Sequence, residues 1–299
     1  MNRKNNYFNL INWLFPMKEQ KFIFSICLCF IPILVFLAYS NSFAKECMLD
    51  STCNVPNLGI SFFYKDVQDI GFNLLYAFLL LLLIPSLYSY QTLKEKNNLF
   101  NTMIIQRITF RKYIKKEILN NFIKTFVVIM IIYIYTLLIT NFFVPIEFNF
   151  SAIDLNHIYD PSYQRYYELF SNNSFISTII YIIHVSFGYA IFSTFVLSLQ
   201  FYVKNLYIFR ILGVITLILF VSINAFITSL LTNLVGVKIA TIILSPLMIG
   251  FLLNPGIITF GYETSISSVG WYYIVAITFL LISNVLFKLS EKRWLKENV

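Results

Sequence analysis

Residues 125–144 read Thr125-Phe126-Val127-Val128-Ile129-Met130-Ile131-Ile132-Tyr133-Ile134-Tyr135-Thr136-Leu137-Leu138-Ile139-Thr140-Asn141-Phe142-Phe143-Val144, twenty residues without a charge. As a helix rising 1.5 Å per residue this run is about 30 Å long, the thickness of a bilayer's hydrocarbon layer. Five more runs pass the same test: Phe22–Ser40, Ile70–Ser89, Phe175–Val203, Ile211–Thr232 and Trp271–Phe287. The rest of the chain has the same character. Its 299 residues are 58% hydrophobic and 18% aromatic, and the 12% that are charged make up about half the share of an ordinary soluble domain. Mean hydropathy is +0.73. A soluble globular enzyme, a nucleic-acid-binding domain and a disordered chain are all excluded. The sequence predicts an all-α polytopic membrane protein with six transmembrane helices in one domain over residues 1–299.

A seventh apolar stretch, Ile239–Leu253, is short and has Ser245-Pro246 at its middle. Apolar stretches of this length suit re-entrant pieces, and backbone broken at proline is tolerated at membrane depth where protein or a wet cavity covers it. This stretch is expected to dip into the outer leaflet and not to cross. Charge placement agrees. With six spans and both termini cytoplasmic, inner segments hold 18 of the 22 Lys and Arg and 5 of the 14 Asp and Glu, and outer segments hold 4 and 9. That is the positive-inside pattern; a seventh crossing would put Lys288, Lys292, Arg293 and Lys296 outside. The net charge of +8 is therefore a topology signal and implies no nucleic-acid partner. Ser42-Phe43-Ala44 resembles a signal-peptide cleavage site, but the basic region ahead of it is unusually long, so the first span reads as a retained anchor. Before it, Tyr7 to Phe15, closed by Pro16, reads as an interfacial helix whose aromatics suit the headgroup boundary.

Chemistry-bearing motifs are scarce. No glycine is followed by Lys, and there is no His-Glu-x-x-His, Cys-x-x-Cys or Gly-x-Ser-x-Gly. No catalytic residue, metal site or cofactor is expected in this chain. Asp154, His157 and Asp160 lie three apart in an outer loop, and the reading there is a solvated acidic loop. Cys27 and Cys29 fall within the first span as packing residues. Cys47 and Cys53 fall in the first outer loop, where an oxidising environment permits a disulfide. His184 lies in the fourth span. It is either a titrating group on a translocation path or a neutral residue hydrogen-bonded to a neighbouring helix. Asn224 and Thr228 share a face of the fifth span and could line a polar path or bond between helices. Ser186, Ala190, Thr194 and Ser198 recur every four positions in the fourth span and read as a close-packing surface.

The connection between spans two and three is basic but not polar throughout: Lys94-Glu95-Lys96-Asn97-Asn98-Leu99-Phe100-Asn101-Thr102-Met103-Ile104-Ile105-Gln106-Arg107-Ile108-Thr109-Phe110-Arg111-Lys112-Tyr113-Ile114-Lys115-Lys116. Leu99/Met103 and Phe100/Ile104 are i,i+4 pairs on one short helical face, suited to a lipid surface or to a groove on a partner. Thr109 reads as the N-cap of a helix that runs on into span three.

Glu95, the amphipathic turn, and then Arg107-x-x-x-Arg111-x-Tyr113-x-x-Lys116 resemble the coupling-helix region of ABC-2 type permeases, the membrane subunits of ATP-driven exporters, including the group that exports peptide toxins and gives bacteriocin immunity. The resemblance extends over the predicted architecture: an N-terminal interfacial helix, six spans with both ends inside, a cytoplasmic coupling helix between spans two and three, a tight inner turn at Lys204-Asn205, and re-entrant outer segments before span six. It implies that Leu99, Phe100, Met103, Ile104, Arg107 and Arg111 couple the chain to a separate ABC ATPase subunit, which holds the ATP and Mg. It also implies a second permease copy or paralogue. Arg107, Arg111, Lys112 and Lys116 would pin the hook to membrane lipids, at about 1 kcal/mol each against anionic headgroups.

The exported substrate expected from the resemblance is hydrophobic or amphipathic, most naturally a peptide. The 3 Trp, 20 Tyr and 32 Phe suit such cargo, and the absence of a charge at any span centre disfavours an ion path. Asn, Ile, Lys and Phe usage is that of a low-GC bacterium, which places the chain in the bacterial cytoplasmic membrane. Two other readings compete: a membrane-embedded enzyme, for which His184 has no charged intramembrane partner, and an ATP-independent immunity or receptor protein.

Overall fold

The computed structural model describes residues 12–49, 58–67, 70–84, 109–148, 173–200, 202–203, 205–255 and 268–298. Its elements are α1 (Lys18–Ser40), α2 (Phe43–Leu49), α3 (Leu58–Phe62, passing into a π-helical turn at Phe63–Val67), α4 (Ile70–Ile84) and α5 (Phe110–Phe143). They continue with α6 (Ser174–Leu199), α7 (Leu206–Arg210), α8 (Leu212–Val235), α9 (Val237–Leu244, ending in a 3₁₀ turn at Ser245–Leu247), α10 (Ile249–Leu253) and α11 (Ser268–Asn298). Five of them, α1, α5, α6, α8 and α11, are long and apolar enough to cross a membrane. α4 is equally apolar, and its 15 described residues rise about 22 Å. The chain is an all-α membrane protein.

Element ends follow from local chemistry. α5 starts directly after Thr109, as the sequence predicts, but the Thr109 side chain makes no capping bond. Its carbonyl accepts from the backbone N–H groups of Lys112 and Tyr113 instead. The helix then runs without a break from the basic stretch through the apolar run, 34 residues and about 51 Å. At α6 and α7 the caps are side chains. Asn173 accepts from the N–H groups of Phe175 and Ile176, and Asn205 from those of Tyr207 and Ile208. The turn between α6 and α8 thus contains a small helix of its own. Residues 12–14 are helical and stop ahead of Pro16. The adjoining Phe15 stacks on Phe24 with ring centroids 4.6 Å apart.

Cross-helix contacts fix the directions. Trp13 lies against Lys124, and Phe36 and Tyr39 lie against Phe143, so α1 and α5 run parallel. Gly59 abuts the Pro145 carbonyl and Tyr76 meets Thr136, so α4 descends as α5 rises. Asn121 meets Ser193 and Tyr133 meets Tyr181, so α6 is antiparallel to α5. α6 and α11 run parallel: His184 meets Tyr272, Phe195 meets Phe279, and the Tyr202 hydroxyl donates to the Leu286 carbonyl.

Parallel α6 and α11 require the chain between them to cross the layer once, and α8 makes that crossing. Residues 237–255 therefore enter and leave on one side. The reversal at Gly236 (φ +84°) sends α9 back along α8 until Asn224 meets Leu247. After the break at Pro246, α10 returns along α6, passing Gly188 and reaching Tyr181. α9 and α10 thus form a helical hairpin broken at Ser245-Pro246.

α6 is the centre of the bundle, with every residue from 189 to 198 buried. Ser186, Ala190, Thr194 and Ser198 are all buried, and the three hydroxyls donate back to carbonyls of their own helix. Small residues with self-satisfied hydroxyls let neighbouring backbones come close, which drives helix association where lipid removes the hydrophobic term. Large apolar side chains such as Phe22, Phe142, Ile218 and Leu234 point outwards, as befits a surface solvated by acyl chains.

Candidate functional site

The densest concentration of buried polar groups surrounds the first half of α6, where the π-turn, α10 and α11 converge. Folding Leu58–Val67 inward buries Ile60, Phe62, Phe63, Tyr64 and Val67. The Tyr64 hydroxyl donates to Thr178 Oγ1 at 3.1 Å. Burial holds this phenol above its ordinary titration range, against the opposing effect of the Thr178 bond. Tyr181 is edge-on to Tyr64 at 5.2 Å and donates to Asn254 Oδ1 of the re-entrant segment at 3.1 Å. Tyr133 and Tyr76 extend the aromatic chain into α5 and α4, with Tyr76 bonded to Thr136 at 2.8 Å.

One turn beyond Tyr181 lies His184. Its Nδ1 is 2.8 Å from the Ile180 carbonyl, which can only accept, so Nδ1 carries a proton. Its Nε2 is hydrogen-bonded to the Tyr273 hydroxyl at 2.8 Å. The Tyr272 hydroxyl donates to the His184 carbonyl at 2.8 Å. Of the two readings open for this histidine, the geometry gives a hydrogen bond to a neighbouring helix. Below it, Gly188 presents a bare Cα to the Leu252 carbonyl of α10. Hydroxyls, amides and a doubly bonded imidazole can hold helices in register, but they offer no nucleophile with an idle base beside it.

Asn224 is 7% exposed, and its amide donates to the Leu247 carbonyl at the 3₁₀ turn, 3.1 Å away. It satisfies an acceptor at the break in the re-entrant segment, while its own Oδ1 has no partner among the described residues. Thr228 is half-buried one turn further along α8. His184 thus bonds to α11, and Asn224 bonds to the 3₁₀ turn.

Cys47 is disulfide-bonded, Cys27 and Cys29 are free, and Cys53 lies outside the described residues. So do Leu99, Phe100, Met103, Ile104 and Arg107, together with Asp154, His157 and Asp160. Arg111, Lys112 and Lys116 are exposed on the first two turns of α5. Among the described residues no three His, Cys, Asp or Glu side chains group so as to hold a metal ion.

Three features escape the sequence reading. The inward-folded Leu58–Val67 contains Lys65 and Asp66 and so lacks the signature of a membrane segment. The tyrosine chain joins four elements distant in sequence, and its only signal is a set of tyrosines inside apolar runs. Lys124, placed by composition at the membrane edge, is 6% exposed, with its ammonium 5.3 Å from the Trp13 ring centroid. Next to it, Asn121 and Thr125 both donate to Ser193 Oγ, at 2.7 and 3.0 Å. The spacing of Asn121, Lys124 and Thr125, one helical face, was the available signal. Comparison with family models, curated proteins and solved structures gives no match.

Proposed function

We propose that this chain is the membrane-spanning half of an ATP-driven exporter of the ABC-2 permease type, without an ATPase of its own. In this reading α4 continues to Ser89 as a sixth span, and both termini face the cytoplasm of a bacterium. A separate ATPase subunit receives Leu99–Ile105, and a second permease copy or paralogue completes the pathway. ATP-driven closure of the ATPases pushes the short hook as a rigid body and rocks the spans between inward- and outward-open states. The cargo is a hydrophobic or amphipathic peptide.

The observation that carries this reading is the order of directions along the chain. Alternating helices, with a non-crossing re-entrant segment between α8 and α11, put the basic N-terminal end of α5 and the basic C-terminal end of α11 on one face. The amphipathic stretch at residues 99–105 leads directly into that end of α5. A membrane-embedded enzyme is less well supported, because both ring nitrogens of His184 are occupied by Ile180 and Tyr273.

The test is co-purification from the native membrane. An ATPase chain should travel with the protein and be lost from the double variant Leu99→Asp, Met103→Asp at unchanged expression. Normal export of cargo by that variant would overturn the coupling role.

A further inference from the structure

The cation-rich ends of α5 and α11 do not lie flush. Each packs on α6, and between them opens a cleft of about 350 Å³. Four cations line it, Arg111 and Lys115 from α5 and Lys288 and Lys292 from α11, with Glu291 the sole acid in the lining. None of the four makes an ion pair among the described residues, where the ion pair present is Arg210–Glu19. The lining therefore keeps a net charge of +3.

Arg111 and Lys292 stand at the outer ends of the two helices, nearest water, and Ile114 lies between Arg111 and Lys115 on α5. Below the cations the walls are Ile118 on α5 and Phe287, then the amide of Asn284, on α11. Tyr113, Ile114, Leu197 and Phe287 pack together as a small separate core that closes the α6 side. A ligand filling such a cleft meets four cations over its upper part and, below them, two apolar side chains and one amide.

We infer that this cleft is a binding site for one anionic phospholipid, its phosphate held among Arg111, Lys115, Lys288 and Lys292 and its acyl chains passing along Ile114, Ile118 and Phe287. Two observations favour a lipid over a soluble anion or an acidic protein surface: the apolar lower wall, which neither of those would use, and the position of the cleft where two membrane helices leave the hydrocarbon. Basic pockets between membrane helices bind such headgroups elsewhere by the same electrostatics. The inference needs only that these helix ends lie at a membrane boundary, and it stands apart from the exporter reading.

The experiment uses the full chain in a neutral detergent, titrated with short-chain phosphatidylglycerol or phosphatidylcholine and read by native mass spectrometry. Phosphatidylglycerol should bind about tenfold more tightly, given two or more cations near one phosphate. Lys288→Gln with Lys292→Gln should remove most of that preference. Lys18→Gln with Lys21→Gln, the same charge removed from α1 outside the cleft, should leave it intact. Equal loss in both double variants would mean diffuse surface attraction and would overturn the site. Displacement of the lipid by inorganic phosphate at the same concentration would mark a soluble-anion site, and no preference in the wild type would leave the cations to an acidic protein partner; either result refutes the proposal. Glu291→Gln, which removes no cation and adds no bulk, should tighten phosphatidylglycerol binding, and unchanged or weaker binding would count equally against it.

Discussion

Gly188→Ala tests how tightly the re-entrant segment is seated. A methyl group built at Gly188 overlaps the Leu252 carbonyl oxygen and lies 3.0 Å from its carbon, with Tyr272 Cε2 at 3.5 Å. Carbon atoms in ordinary contact sit about 3.5–4.0 Å apart, so α10 must retreat by at least about 0.5–1 Å. The obstruction is backbone, which cannot swing aside as a side chain would. Retreat also stretches the Tyr181–Asn254 bond, now 3.1 Å. Overpacking of this kind costs about 1–3 kcal/mol, while replacing a mid-helix glycine by alanine gains about 0.5–1 kcal/mol. Because the obstacle is a carbonyl and overlap is complete, overpacking wins, by about 1–2 kcal/mol. At about 2–4 °C per kcal/mol, Gly188→Ala should lower the melting temperature in detergent by about 2–8 °C. Ser186→Ala removes only a hydroxyl bonded to its own helix and should stay within about 1 °C of wild type. An unchanged or raised melting temperature for Gly188→Ala would show that helix propensity dominates and that α10 is not pressed against α6.

Reporter insertions at Gly236 and after Pro255 should give the same sidedness, opposite to a reporter after Val299; different signals at the first two sites would make residues 237–255 a crossing and refute the hairpin. His184→Ala and Tyr273→Phe should each cost about 0.5–1.5 kcal/mol, with a coupling of about 0.6 kcal/mol in a double-mutant cycle, the usual size of a hydrogen bond between membrane helices. Additive losses would show that the 2.8 Å contact carries no energy. Arg210→Gln should cost less than about 0.5 kcal/mol by thermal melting, because its 3.1 Å pair with Glu19 is solvent-exposed; a loss of several degrees would imply that α7 locks α1 in place.

The reading of the fold succeeds wherever the bilayer supplies the rule and weakens wherever protein does. Uncharged runs of 20 residues announce the long helices because lipid leaves backbone polar groups no other partner. Pro246 announces the broken segment for the same reason. The start of α5 follows a different rule: it lies 15 residues before the apolar run, directly after the Thr109 that the sequence marks as its N-cap. Leu58–Val67 is invisible because its burial depends on α1, α5 and α6 already being in place, and its own Lys65 and Asp66 argue for a loop. His184, Asn224 and Thr228 were recognisable as intramembrane polar residues, but only coordinates reveal that the first two hold neighbouring backbone or hydroxyl groups. Tyr64, Tyr181 and Asn254 converge through three separate elements, and no local pattern encodes that meeting.

A push from an ATPase, under the exporter reading, has to travel from residues 99–105 to the far side of the bilayer, and the helix lengths constrain how. α5 follows the hook after four residues and extends about 51 Å without a proline or glycine, so it acts as a rod. Its mid-length neighbours are fastened by polar contacts, Asn121 and Thr125 to Ser193 and Thr136 to Tyr76. Movement of α5 should therefore carry α6 with it. α6 in turn touches the re-entrant segment twice, through Gly188 to Leu252 and through Tyr181 to Asn254. The segment's other limb is held to α8 by Asn224, whose Oδ1 has no partner among the described residues. The 3₁₀ turn, Ser245–Leu247, separates the limb that runs along α8 from the limb that runs along α6, so a hinge between the two parts should lie there. Asn224→Leu would free that turn: it should loosen the segment, raise basal leakage of cargo and leave ATPase association intact. Loss of ATPase association instead would place Asn224 in assembly of the complex and remove the hinge from the mechanism.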